Sequence, residues 1–309
     1  MSKIITIAEV IVPILVAVFL GILARRKNLM TPEENKGLQQ FVIKFGLPCV
    51  IFNSCLGADI GAESVSSMLM VIPVLIASCL WSFSARKKSL PYYNLPMLFS
   101  AQETGMLGIP LFMILFGVDQ AYRMGVLDLA QAVTAYPTIA ILTSVGSESP
   151  SLGGILKKIV TSPLLIMSAL GLTLNFTGAA DWMDPLGIGG IITESTGFLA
   201  QPISAMMIFS VGYNFSLDKG ARGTIFKVSA IHLAYYVVVA LLVQGILFLL
   251  PNVDPMTRWA LLLFCALPAS YLAPTMGKDQ KDFTMASGVC SLLTVVTLVV
   301  FCIIAAFAA

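Results

Sequence analysis

Ser-Ala-Gln-Glu-Thr-Gly-Met-Leu-Gly-Ile-Pro-Leu-Phe, residues 100–112, lies inside a long apolar segment, yet holds a glutamate, two glycines and a proline between positions 103 and 110. A carboxylate at the centre of a bilayer costs about 2.5–3.5 kcal/mol on insertion scales. Gly and Pro there weaken the helix that satisfies backbone polar groups in lipid. The stretch therefore predicts a broken membrane helix that lines a polar site.

Working outward, the whole chain has the composition of a membrane protein. Apolar residues make up 58% and charged residues 11%, with a mean hydropathy of +0.92; soluble domains have about 45–50% and 25%. The net charge of +2 sits in short clusters between apolar runs, so no nucleic-acid partner is expected. Lys3, Glu9 and the triplet Arg25-Arg26-Lys27 around the first run do not fit a signal peptide. The six cysteines fall in apolar spans without metal-ligand spacing and read as small buried hydrophobes. There is no His-Glu-x-x-His, Gly-x-Ser-x-Gly or Gly-x-x-x-x-Gly-Lys-Ser/Thr. An enzyme is not expected, and neither is a cofactor beyond a coupling proton or sodium ion.

A helical span needs about 20 apolar residues. Ten stretches qualify: 5–24, 34–56, 65–84, 95–117, 122–144, 157–176, 188–214, 225–250, 256–276 and 283–307. Thr31-Pro32-Glu33-Glu34 predicts a capped helix start just before the second. Basic residues gather in the odd-numbered gaps (Arg25 to Lys27 and Lys36; Arg86 to Lys88; Lys157 and Lys158; Lys219, Arg222 and Lys227; Lys278 and Lys281). The even gaps hold Arg123 and Arg258 at most. By the positive-inside rule both termini are predicted outside a cell membrane, with a bacterial inner membrane the expected location.

Proline-broken spans are expected to recur five apart. Gly-Leu-Pro-Cys (46–49) and Ala-Gln-Pro-Ile (200–203) fall in spans two and seven; the opening stretch and Cys-Ala-Leu-Pro-Ala-Ser-Tyr-Leu-Ala-Pro (265–274) fall in spans four and nine. An odd offset inverts the second copy. The predicted fold is an all-α membrane protein of ten transmembrane helices, in two inverted five-helix repeats, residues 1–148 and 149–309. In transporters of that build the substrate site lies near the midplane, where discontinuous helices meet.

The candidate residues follow. Gly105, Gly108 and Pro110 are expected to free backbone groups just after Glu103, and Pro268 and Pro274 bracket Ala269, Ser270 and Tyr271. Helix N-termini favour anions and freed carbonyls favour cations. Ordinary kinks are the bland alternative, since Pro is frequent in membrane helices. Glu103, eight residues into span four, is a proton carrier, a ligand for a coupling cation or a hydrogen-bonded structural acid. Asp128 either joins it, pairs with Arg123 or faces water. Gln131 and Tyr136 are polar groups in mid-span that line the cavity or bond between helices. Lys44 either snorkels, neutralises Glu103 or meets an anionic substrate. Glu9 and His232 are expected at the interface.

Phe-Gly-Leu-Pro-Cys-Val-Ile-Phe (45–52), Gly-Met-Leu-Gly-Ile-Pro-Leu (105–111), Cys-Ala-Leu-Pro-Ala-Ser (265–270) and the Ser/Thr-bearing last span resemble the auxin efflux carrier family over nearly the whole chain. That family includes plant auxin exporters and bacterial organic-acid permeases. The resemblance implies crossing, broken spans four and nine, as in bile-acid symporters and sodium–proton antiporters, and a homodimer. It also implies elevator movement of a transport domain (spans 3–5 and 8–10) against a scaffold (spans 1, 2, 6 and 7). The plant carriers have proline and asparagine in the span-four crossover where this chain has Gln102 and Glu103, with Thr104 next. Their span-nine proline resembles Pro268, their span-five pair Gln131 and Tyr136, and their span-two contacts fall near Leu47 and Ile51. An organic anion would therefore meet a like charge at Glu103.

The expected function is secondary transport of a small organic solute across the bilayer, with an organic anion such as a mono- or dicarboxylate foremost. Coupling to a proton or sodium is expected through Glu103. The alternatives are a carrier of a neutral or cationic solute, or a channel or sensor on a transporter fold.

Overall fold

The computed structural model describes residues 2–56, 62–88, 90–144, 153, 160–179, 188–215, 221–249, 253–274 and 277–308. Among the described residues the chain is helical, with one isolated β-bridge. Helix α1 (Ser2–Arg26) ends on its basic pair, and Asn28 beyond it takes the left-handed backbone (φ 52°) that a short polar side chain tolerates. α2 (Pro32–Phe41) starts in a capping box: Thr31 Oγ1 accepts from Glu34 N (3.2 Å) and Glu34 Oε2 accepts from Thr31 N (2.7 Å).

One π-helical turn, Val42–Gly46, then runs directly into α3 (Leu47–Leu56). This corrects the expected break at Gly-Leu-Pro-Cys. Pro48 has no N–H to donate, and the chain widens locally, Leu47 N reaching back five residues to Val42 O, so the span continues. α4 (Ala62–Lys88), α5 (Leu95–Ser100), a second π turn (Thr104–Gly108), α6 (Ile109–Phe116) and α7 (Ala121–Ser144) follow. The second half holds α8 (Pro163–Phe176), α9 (Ile188–Ala200), α10 (Ile203–Asn214), α11 (Arg222–Leu249), α12 (Pro255–Ala266) and α13 (Gln280–Ala308).

Each of the ten apolar stretches contains one or two of these helices, and the seventh breaks at Gln201-Pro202 as its proline predicts. Three segments among the described residues are long and apolar enough to cross a membrane: Leu69–Arg86, Arg222–Leu249 and Gln280–Phe307. All six cysteines are free, and all but the half-buried Cys302 are buried.

In lipid, helices gain little from hiding apolar side chains, because the solvent is equally apolar; close approach at small residues does more. α1 lies against α10 in this way. A Cβ on Gly21 would fall 2.0 Å from Phe209 O, and one on Gly212 2.1 Å from Val18 O. α3 meets α8 similarly, a Cβ on Gly171 falling 2.7 Å from Phe52 O. α9 also packs on α3, while α4 packs on α5 and α7, and α11 on α12 and α13. Large apolar side chains such as Phe19, Leu241 and Phe248 point outward.

Gly212→Leu is expected to push α1 and α10 apart. Overpacking costs about 1–3 kcal/mol, and more where backbone must move. A clear drop in thermal midpoint in detergent is the predicted result. Gly190→Leu, with open space around its position, should leave the midpoint unchanged; equal midpoints for both variants would contradict this packing.

Candidate functional site

Spans four and nine meet where both lose helical structure. α5 ends at Ser100 and Ala101 is extended (φ −131°, ψ 123°); Leu267, which closes α12, is extended as well (φ −66°, ψ 151°). Gln102 and Ala269 pair as an antiparallel bridge. Glu103 N donates to Pro268 O (2.9 Å) and Ser270 N donates to Ala101 O (2.8 Å).

The break in span four thus falls on Ala101-Gln102-Glu103. The expectation that Gly105 or Pro110 makes it is corrected: Gly105 lies in the π turn, and Pro110 sits in the first turn of α6, where a missing N–H is tolerated. Gly108 serves the crossing differently. A Cβ there would fall 2.7 Å from Leu267 Cδ1 and 2.8 Å from Met124 Cε, so a larger residue would make these two side-chain ends shift.

Extended backbone in a membrane leaves N–H and C=O groups that need protein partners. Gln131 of α7, fully buried, supplies two of them. Its Oε1 accepts from Gln102 N (2.6 Å) and its Nε2 donates to Gln102 O (2.8 Å). The Gln102 amide, with its nitrogen turned to the carbonyls, donates to Leu267 O and Pro268 O at 3.0 Å each. The carbonyls that end α5 are met from α11: His232 Nδ1 lies 3.0 Å from Leu98 O, and the Tyr236 hydroxyl donates to Phe99 O (2.7 Å). Thr297 of α13 donates to Ala266 O at the end of α12 (2.6 Å). His232 is therefore buried at the crossover and not interfacial, because the broken helix needs its nitrogen.

Glu103 joins the two breaks. Its side chain is almost fully buried; Oε1 accepts from Met106 N (3.2 Å) and Oε2 from Tyr271 N (2.6 Å). One carboxylate thus caps the segments that follow both breaks. Thr104 donates to Asp128 Oδ1 and is itself 3.4 Å from Gln131 Nε2. The pairing of Asp128 with Arg123 is corrected: Arg123 bridges to Asp254 at 2.6 Å and donates to Thr257 (2.7 Å). Lys44 is exposed and makes no ion pair among the described residues.

Ser270 Oγ accepts from Leu272 N (3.3 Å), and Tyr271 shares a hydrogen bond with Thr294 (2.8 Å). Leu47 and Ile51 are buried core residues, Ile51 against Gly125 of α7. The Tyr136 side chain lies outside the described residues.

A cavity of about 470 Å³ lies beside Tyr271, between α1, α10 and α13, and Pro274 lies in its wall. Arg25, Asn214, Thr284, Ser287, Ser291 and Thr294 line it. The sequence reading missed these. The signal was there: hydroxyls at 284, 287, 291 and 294 follow helical spacing and mark one face of an otherwise apolar span.

Residues 6–308 match the family described as membrane transport protein. The chain belongs to this family, the auxin efflux carriers. It is a transporter family and not an enzyme family, and its members are multi-pass membrane proteins. A protein of Methanothermobacter thermautotrophicus described as an uncharacterized transporter is 24% identical over 305 residues, which cover 94% of this chain and 95% of that one.

Replacing Gln131 by Leu should strand the N–H and C=O of Gln102. Unpaired buried groups cost about 1–3 kcal/mol each, so the variant is expected to lose both thermal stability and transport. An unchanged melting midpoint would show that Gln131 does not hold the break.

Proposed function

We propose that this transporter carries a small organic anion, a mono- or dicarboxylate, by alternating access, coupled to a proton or a sodium ion through Glu103. The supporting observation is the carboxylate held at the crossover. N–H groups of Met106 and Tyr271, from opposite halves of the chain, bind it together, and helix N-termini favour such anions. In this protein the carboxylate belongs to Glu103 itself. A substrate carboxylate can share the position only if Glu103 is protonated or a cation lies between the two. That requirement is the coupling.

The packing groups support an elevator. Spans one, two, six and seven adjoin one another through α1, α3, α8, α9 and α10; the remaining spans gather around α4, α5 and α7 and around α11, α12 and α13. The first group is the scaffold and the second the moving domain, built from inverted halves 1–148 and 149–309. The alternating basic gaps support a cell-membrane orientation with both termini outside, and the family resemblance supports a homodimer. A second reading, a neutral or cationic solute, is favoured by the same carboxylate if Glu103 stays ionised throughout.

Uptake of labelled malate, malonate and lactate into proteoliposomes under imposed pH and sodium gradients tests both. The expected result is gradient-driven accumulation of one acid, lost in Glu103→Gln while exchange persists. Identical behaviour of the two proteins would make Glu103 structural. Failure of every acid to move would shift the assignment to neutral or cationic solutes, and transport without counterflow exchange would indicate a channel.

A further inference from the structure

The cavity beside Tyr271 has its own chemistry. Its volume of about 470 Å³ falls among small-molecule sites, about 300–1,000 Å³. Among the described lining residues Arg25 carries the one charge, and none is acidic. Among the described residues Arg25 makes no ion pair; the ion pair there joins Arg123 to Asp254. Arg25 Nη1 donates to Tyr213 O (3.2 Å) and Phe215 O (3.3 Å), the carbonyls that end α10. Those bonds fix the guanidinium in the wall. Arginine has five donors in a fork that matches a carboxylate.

The hydroxyl face of α13 lies in the same cavity. Serines and threonines in membrane helices commonly bond back to the carbonyl four residues earlier, as Thr294 does to Cys290 O (2.7 Å). Ser287 makes no hydrogen bond among the described residues and turns into the cavity.

We propose that this cavity is a binding site for a small polar carboxylate, with Arg25 as its anchor and Ser287 as a donor to the rest of the ligand. It holds the anion next to Tyr271, one residue whose backbone N–H already reaches the crossover carboxyl. The inference rests on the organic-anion reading above and adds a second, separate position for the substrate. It also makes Arg25 specificity-determining, beyond its cap on α10.

Two measurements with malate as the probe test it. In proteoliposomes, Arg25→Gln is expected to raise the KM for malate about tenfold to a hundredfold, the range for losing a charged hydrogen bond, while Arg25→Lys loses less. Ser287→Leu, which fills the cavity without touching the α10 carbonyls, should abolish uptake with an unchanged thermal midpoint. Separately, Ser287→Cys should react with a maleimide above the wild-type background, and malate should slow that reaction. Protection needs no transport, so it decides the matter even if Arg25→Gln fails to fold or no acid is taken up. Wild-type KM in Ser287→Leu, or labelling of Ser287→Cys that malate does not slow, would overturn the site. Protection without any uptake would uphold the site while the transport reading fails.

Discussion

A helix broken inside a bilayer leaves N–H and C=O groups with no water to meet them, and the crossover exists only because side chains supply the partners. Gln131 takes both backbone groups of Gln102, His232 and Tyr236 take the carbonyls that end α5, and Thr297 takes one that ends α12. The crossing strands satisfy each other through Glu103 with Pro268 and Ser270 with Ala101. Helices on both sides of the break are thereby tied to it. These polar residues of spans five, eight and ten complete spans four and nine.

Glu103 is set apart from these. The other side chains each serve one break, whereas its carboxylate draws N–H groups from the segments after both. No ion pair to a cation accompanies it among the described residues. A carboxylate held by N–H groups from both segments is sensitive to anything that changes its charge, and such a change is felt in both halves of the chain at once. In the proposed mechanism, the link between a bound ion and the moving domain runs through this carboxylate.

Much of this was visible before any coordinates. The ten helical stretches follow from hydropathy, the capping box from Thr31-Pro32-Glu33-Glu34, and the crossover region from a buried acid among Gly and Pro. What misled was the weight given to Gly and Pro as the sites of breakage. Pro48 is absorbed by a π turn, and span four breaks at Ala101-Gln102-Glu103, which contains neither residue type, because the partners of that backbone sit on other spans. His232 misled for the same reason: its distance from a span end says nothing of a carbonyl on a neighbouring helix. The hydroxyl face of α13 was readable from spacing alone, whereas Arg25 reads from sequence only as an orientation signal.

The most direct test of the account is infrared difference spectroscopy of the reconstituted protein on addition of malate, with Glu103→Gln as the reference. The account predicts a carboxyl band change in the wild type that the variant lacks: a protonated carboxyl band if a proton couples, or a sodium-dependent shift of the carboxylate band if sodium does. Difference spectra that are the same for both proteins would contradict the claim that Glu103 changes state when the substrate binds.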